Sequence, residues 1–114
     1  MKIINTQKEL EELIDSNNNI IINDNLDIRC DICIDANINS WDIDAGNINA
    51  WTIDARDIDA LDIDARDIDA LDIDARDISY YAFCCVYESI TCKSIIGRRE
   101  KSKHFALDGT ITIK

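Results

Sequence analysis

Aspartate is the residue type in this sequence whose number and spacing most clearly suggest a chemical or binding role. Between Trp41 and Tyr80 there are twelve aspartates and three arginines, so the local net charge is 3 − 12 = −9. Closely spaced carboxylates bind hard cations, solubilise a surface, or imitate the phosphates of a duplex, which carry about one charge per 1.7 Å of axis. Because calcium-binding repeat turns are glycine-rich and the chain has three glycines, we expect no metal site and no cofactor.

The remaining reactive residue types predict packing rather than chemistry. Cys30 and Cys33 have the spacing of a zinc-ligand pair. However, Cys30, Cys85 and Cys92 fall at predicted inward positions, where cysteine acts as a small hydrophobe. His104 has no nucleophile or carboxylate at a recognisable catalytic spacing, and no phosphate-binding loop or nucleophile motif is present. We therefore predict no catalytic residues and no enzymatic activity.

The composition predicts one folded, acidic domain. The chain has 114 residues, 46% hydrophobic content and a formal net charge of −11. Such a charge repels nucleic acid and an anionic membrane surface, so neither is an expected direct partner. No signal peptide or transmembrane stretch is evident. With an odd number of cysteines, this favours a reducing compartment, the cytoplasm.

Two segments precede the strict repeat. Residues 6–16 predict a short helix, with Thr6 and Glu9 forming a capping box and apolar residues on one face. Asn17–Asn19 predict a turn, because asparagine tolerates the left-handed conformation. From Ile20 to Ile38, apolar and polar residues alternate as in strands.

A five-residue period then takes over. Isoleucine recurs at 43, 48, 53, 58, 63, 68, 73 and 78, and alanine follows two residues later in every unit from 45 to 75. In an α-helix the isoleucines would be about 140° apart and form no stripe. In a straight strand they would alternate faces. The period therefore predicts a chain that bends once per five residues and winds an all-β solenoid, with coils stacked about 4.8 Å apart.

These repeats resemble the pentapeptide-repeat family over residues 26–97, most closely over 43–78. The order differs, since Ile-Asp-Ala-x-Asp places the large residue before the small one. The resemblance implies a right-handed, four-sided β-helix with about twenty residues per coil. From the residues alone, coils of ten or of twenty residues remain open.

The expected organisation is a single domain over 1–114. Residues 1–19 are the helical N-terminal cap and 20–97 the solenoid repeats, with Phe83 and Cys85 continuing the inward positions. Residues 98–114 form a basic loop and a closing hairpin, with its turn at Asp108 and Gly109. Both ends need covering, because a terminal coil exposes its core and unpaired strand groups.

The fourth residue of each unit alternates with a ten-residue period. Large apolar residues stand at Trp41, Trp51, Leu61, Leu71 and Tyr81, with non-apolar residues between them. Coils of ten would align all five in one stripe, and coils of twenty would divide them between two opposite faces. An exposed apolar row predicts contact with another chain, such as a homodimer partner.

The leading functional hypothesis is a non-enzymatic inhibitor that presents a DNA-like acidic surface to a protein with a basic nucleic-acid-binding surface. The resemblance implies topoisomerases as one target class, and analogy with phage-encoded inhibitors suggests host defence nucleases, including CRISPR nucleases. The alternative is a self-assembling structural module. The predicted acidic contact residues are Asp54, Asp57, Asp59, Asp62, Asp64, Asp67, Asp69, Asp72, Asp74 and Asp77.

Overall fold

The structure is a computed structural model that describes residues 2–114. Strands hold 58% of the residues and helix 4%. In chain order the elements are β1 (Lys2–Ile4), α1 (Gln7–Glu11), β2 (Asn19–Ile21), β3 (Leu26–Ile28), β4 (Ile32–Cys33), β5 (Asn37–Asn39), β6 (Asp42–Asp44), β7 (Asn47–Asn49), β8 (Thr52–Asp54), β9 (Asp57–Asp59), β10 (Asp62–Asp74), β11 (Asp77–Cys92), β12 (Ser94–Gly97), β13 (Lys103–Ala106) and β14 (Ile111–Ile113).

Parallel strands stack into a β-solenoid of about six coils, so the predicted fold class is confirmed. Ile43 pairs with Ile58, and Ile58 with Ile73. Each coil of the strict repeat therefore takes fifteen residues, or three five-residue units. The expected four-sided coil of twenty residues is wrong, and so is a coil of ten. The solenoid has three sides because one bend follows each unit and three bends close the coil.

Each side is a ladder of parallel strands. Side 1 comprises β1, β3, β6, β9, the end of β10 (72–74), the end of β11 (89–92) and β14. Side 2 comprises β4, β7, residues 62–64 of β10, residues 77–80 of β11 and β12. Side 3 comprises β2, β5, β8, residues 67–70 of β10, residues 83–86 of β11 and β13.

The core is built from the two apolar positions of each unit. All eight repeat isoleucines are buried, as are the alanines from Ala50 to Ala75. The bends are held by backbone bonds to the previous coil. The N–H of Arg56 donates to the carbonyl of Trp41 at 2.6 Å, and that of Leu71 to Arg56 at 2.7 Å. Between Ala50 and Ala75 the bends therefore satisfy their own polar groups without glycine or proline.

The predicted N-terminal helix is present but shorter than expected, since it ends at Glu11 rather than at residue 16, and it replaces a strand on side 2 of the first coil. Thr6 caps it by accepting from the Glu9 N–H, and Glu9 accepts from the N–H of Asn5. Leu10 is buried. The Gln7 amide accepts from the Cys33 N–H at 3.0 Å and donates to the Cys33 carbonyl at 2.6 Å. Gln7 thus provides the hydrogen bonds that a neighbouring strand would give to β4.

The turn after the helix also follows the prediction, since Asn18 has a φ of 64°. The solenoid itself is longer than predicted at both ends. β1, inside the expected helical segment, is the first strand of side 1. The expected C-terminal hairpin is wrong, because β13 and β14 each pair parallel with β11. Asp108 and Gly109 form a bend between sides, and Gly109 lies so close to the Glu88 carbonyl that a Cβ would be 1.7 Å from it.

The inward register after Tyr80 also differs from the prediction. Cys84 and Val86 are buried, whereas Phe83 and Cys85 are not. The reason is one additional residue in the bend after Tyr80, since Ala65 pairs with Tyr80 but Asp67 pairs with Phe83. An insertion of one residue in a strand moves every following side chain to the opposite face.

All five cysteines are free thiols. Cys84 and Cys92 are buried, Cys30 is half-buried and packs against the core, and burial raises the pKa of Cys84 to about 12. Core packing therefore accounts for Cys84 and Cys92. The prediction that Cys85 packs in the core is wrong, because Cys85 is only half-buried. Within residues 2–114, no helix is long and apolar enough to cross a membrane.

We expect the isoleucine stack to dominate stability. Ile68 is 0% exposed and Leu61 is 52% exposed. Ile68→Ala should lower the free energy of unfolding by about 2–5 kcal/mol, whereas Leu61→Ala should change it by less than about 0.5 kcal/mol. Urea denaturation checks both, and equal effects would contradict the assignment of inward and outward positions.

Candidate acidic interface

The three-sided coil distributes the aspartates unequally. Each strand of the strict repeat has an inward isoleucine between two outward residues, so each side carries two outward columns. On side 1 one column contains Asp42, Asp57 and Asp72, and the other contains Asp27, Asp44, Asp59 and Asp74. Seven carboxylates thus share one flat side, which we name the acidic side.

The spacing of the acidic side follows from β geometry. Carboxylates in one column are about 4.8 Å apart, and the two columns are about 6.6 Å apart, or two residues along a strand. Together they border a shallow groove of ≈ 530 Å³. The side-chain carboxylates of Asp44, Asp59 and Asp74 make no hydrogen bond or ion pair with any other described residue. These carboxylates remain available to another molecule.

Burial and repulsion within the columns raise the pKa of two carboxyls on the acidic side. The pKa of Asp57 is raised, first by desolvation and then by the charges of Asp42 and Asp72. The pKa of Asp59 is raised by desolvation and by Asp44 and Asp74. Arg56 only partly offsets the effect on Asp57. Concentrating negative charge on this side therefore lowers the stability of the folded state.

Few aspartate side chains accept hydrogen bonds from the backbone at the bends. Asp72 accepts hydrogen bonds from the N–H and hydroxyl of Ser89, at 3.1 and 3.0 Å. Asp31 accepts from the Asn47 N–H at 3.4 Å. Most bends of the strict repeat use backbone carbonyls of the previous coil instead. The regularity of the aspartates is thus not explained by bend formation.

Side 2 carries fewer uncompensated charges. Arg76 contacts Asp62 at 3.1 Å and Asp77 at 3.7 Å. Arg98 contacts Asp64 at 2.8 Å and also donates to the carbonyl of Ala65. The three predicted contact residues of this side are therefore each engaged by an arginine.

Side 3 changes in character from one end to the other. Near the N-terminal end Asn37 donates to the side-chain oxygen of Asn19 at 2.9 Å, as in an asparagine ladder. Asp54, Asp67 and Asp69 follow in the middle coils. The columns then continue with Phe83 and Cys85. Side 3 is acidic only in its central part.

The ten predicted contact residues therefore do not form one surface. Asp57, Asp59, Asp72 and Asp74 lie on the acidic side, three lie on side 2 and three on side 3. Asp27, Asp42 and Asp44 were missed as contact residues. The signal that could have found Asp42 and Asp44 is the fifteen-residue spacing from Asp57 and Asp59. Asp27 lies before the strict repeat, seventeen residues from Asp44, and its sequence spacing carries no such signal.

The predicted apolar row does not exist, because its members lie along three different bends. A ten-residue period on a fifteen-residue coil places opposite residue types above one another. Arg56 stacks over the Trp41 ring at 4.8 Å, and Arg66 over Trp51 at the same distance. Arg76 similarly follows Leu61, with its N–H donating to the Leu61 carbonyl. The alternation therefore produces cation–π stacks.

No group of three or more His, Cys, Asp or Glu among residues 2–114 is placed to hold a metal ion. Comparison with protein-family models, with curated proteins and with solved structures gave no match. The functional argument therefore depends on the geometry and charge of this chain alone.

Removing one charge from the acidic side should stabilise the protein. Asp59→Asn relieves repulsion from Asp44 and Asp74, and we expect the free energy of unfolding to rise by about 0.5 kcal/mol at low salt. Asp62→Asn is the matched control, since Asp62 pairs with Arg76 and its substitution should not stabilise. Thermal unfolding of the two variants checks this. A lower melting temperature for Asp59→Asn would contradict the proposed repulsion.

Stability should also rise on mild acidification. The pKa values of Asp54, Asp57, Asp59 and Glu88 are raised, that of Glu88 by its hydrogen bond to Asp72 and their repulsion. For a raised carboxyl pKa, the folded state binds protons more tightly than the unfolded chain, so stability falls as pH rises from about 3.8 through the folded pKa. Melting temperatures should therefore be higher near pH 4 than at pH 7, and a steady decrease on acidification would contradict this account.

Proposed function

We propose that this protein is a non-enzymatic DNA mimic, which binds the basic nucleic-acid-binding surface of another protein through its acidic side and inhibits that protein. The single observation that carries the proposal is the two-column array of seven aspartates on side 1. The carboxylates of three of them, Asp44, Asp59 and Asp74, form no hydrogen bond or ion pair with another described residue. A merely solubilising surface would need no such segregation of charge onto one side.

The charge density of the acidic side supports DNA mimicry rather than a surface that serves only to keep the protein in solution. Two columns with one carboxylate per ~4.8 Å give one negative charge per ~2.4 Å of solenoid axis. The duplex has one per ~1.7 Å, so the acidic side reaches about two thirds of that density. Its length of about 14 Å, three coil spacings, corresponds to roughly four base pairs at ~3.4 Å each. The expected footprint is therefore short.

The expected partner has arginine or lysine side chains arranged for a phosphate backbone. The groove between the columns is open and shallow, so it suits side chains that reach in from a protein surface rather than an enclosed small molecule. DNA topoisomerases and phage-defence nucleases of the CRISPR type have such surfaces and are the classes we propose, with the cytoplasm as the site of action. For a phage-encoded inhibitor this would be the host cytoplasm.

Self-assembly through an apolar row is the weaker alternative. The arginine stacking on Trp41 and Trp51 interrupts that row at the bends. A homodimer formed along a continuous apolar stripe therefore lacks the surface on which that hypothesis depended.

A competition assay tests the proposal. Topoisomerases and defence nucleases are presented with a labelled short duplex, and this protein is added as competitor. A mimic should displace the duplex, and its apparent inhibition constant should rise in proportion to the duplex concentration. The displacement should weaken as the salt concentration increases, because salt screens the charges. If no enzyme of either class releases its duplex, or if the displacement does not depend on duplex concentration, the proposal is wrong.

Two triple variants locate the surface. Asp44→Asn, Asp59→Asn and Asp74→Asn remove three of the four charges in one column of the acidic side, without breaking a side-chain hydrogen bond or ion pair within the described chain. Asp54→Asn, Asp67→Asn and Asp69→Asn change the net charge equally on side 3. We expect the first variant to weaken displacement at least about tenfold, or ~1.4 kcal/mol, and the second to have little effect. Equal losses would indicate net charge rather than the acidic side.

A further inference from the structure

The charge of the chain is divided along the solenoid axis. Residues 93–114 contain six basic and two acidic residues, a net charge of +4, whereas residues 1–92 contain six basic and twenty-one acidic residues, a net of −15. The basic residues of the first group lie around the last coil. Arg99, Lys101 and Lys103 are exposed and form no ion pair with another residue of the described chain. The C-terminal end of the solenoid is therefore a basic end.

The basic end also exposes apolar side chains and strand edges. Leu107, Ile96 and Ile113 are 62%, 59% and 53% exposed. β12, β13 and β14 are paired on one edge only, each with β11. Their other edges carry backbone groups that can pair with a further strand. This end combines positive charge, apolar surface and unpaired strand edges.

The N-terminal end has the complementary charge. Helix α1 and its C-terminal cap carry Glu9, Glu11 and Glu12 against Lys8, a net charge of 1 − 3 = −2, and Glu11 and Glu12 are exposed. β1 and β2 lie beside this helix, and they terminate the sheet, pairing only with β3 and β5. Ile21 of β2 is exposed as well. The N-terminal end is thus an acidic end with free strand edges of its own.

We propose that a second copy of this chain binds end to end, with the basic end of one molecule on the acidic α1 end of the next. Charge complementarity selects this arrangement. Two basic ends would bring like charges together, and like-charge juxtaposition at an interface costs several kcal/mol. The contact also covers the exposed apolar residues of the last coil and brings strand edges together.

The arrangement is head-to-tail, so each molecule keeps one end unoccupied. Contacts of this type continue into an open filament unless the rotation closes a ring. The contact does not involve the acidic side, so it stands independently of the proposed inhibition. It replaces the apolar row by the ends of the solenoid as the surface for self-association.

Sedimentation velocity over a concentration series tests the association. The average mass should increase with concentration at about 0.01 M salt and return towards the monomer at about 1 M, because the screening length falls from ~30 to ~3 Å. Three variants reverse two exposed charges each: Arg99→Glu with Lys101→Glu, Glu11→Lys with Glu12→Lys, and, as a control on the acidic side, Asp44→Lys with Asp59→Lys.

The first two variants should each reduce the association constant at least about tenfold, whereas the control should not reduce it. An equimolar mixture of the first two variants should associate again, because each then meets an oppositely charged end. Circular dichroism confirms that each variant is folded. The proposal is overturned if the parent chain stays monomeric at low salt, if the mixture does not recover, or if the acidic-side control loses association. A dimer that survives reversal at α1 would indicate contact between two basic ends and would overturn it equally.

Discussion

The in-register stacking of isoleucine on isoleucine is the constraint on which the rest of this structure depends. Because Ile43, Ile58 and Ile73 lie directly above one another, the outward residues beside them are also forced into vertical columns. A strand spacing of about 4.8 Å then sets the distance between like side chains. The ladder that gives the protein a continuous core therefore imposes the close approach of its aspartates.

Columns of like charge oppose folding, and the three sides differ in how far arginine side chains neutralise them. On side 2, Arg76 and Arg98 contact three of the aspartates. At the bends, arginines lie over tryptophan rings and separate apolar residues that would otherwise form an exposed row. On side 1, among residues 2–114, the compensation comes from Arg29, which contacts Asp27 at 3.2 Å, and from Arg56, which lowers the pKa of Asp57. Side 1 thus combines the most carboxylates with much less neutralisation than side 2, which is the physical basis of the proposed DNA mimicry.

The two ends of the solenoid cover the core and the unpaired strand groups in different ways. At the N-terminal end, α1 buries Leu10, and Gln7 satisfies both backbone groups of Cys33. At the C-terminal end, Tyr80 fills the core in place of alanine, and its hydroxyl bonds His104 Nδ1 at 2.6 Å. The last coil nevertheless leaves apolar side chains and strand edges exposed. A solenoid with unlike ends of opposite charge has a natural direction for contact with a copy of itself.

The sequence alone determined the β-solenoid, the five-residue unit, its inward isoleucine and alanine, the capped N-terminal helix and the total charge, because these follow from local spacing and composition. Only the tertiary structure decided that three units close a coil, since the bend angle depends on how successive units pack and not on their period. That number placed Asp44 with Asp59, separated Asp57 from Asp62, and set Arg56 on Trp41. Likewise, one additional residue after Tyr80 turned Cys84 inward instead of Phe83, because strand register is fixed by pairing with the previous coil rather than by distance along the chain.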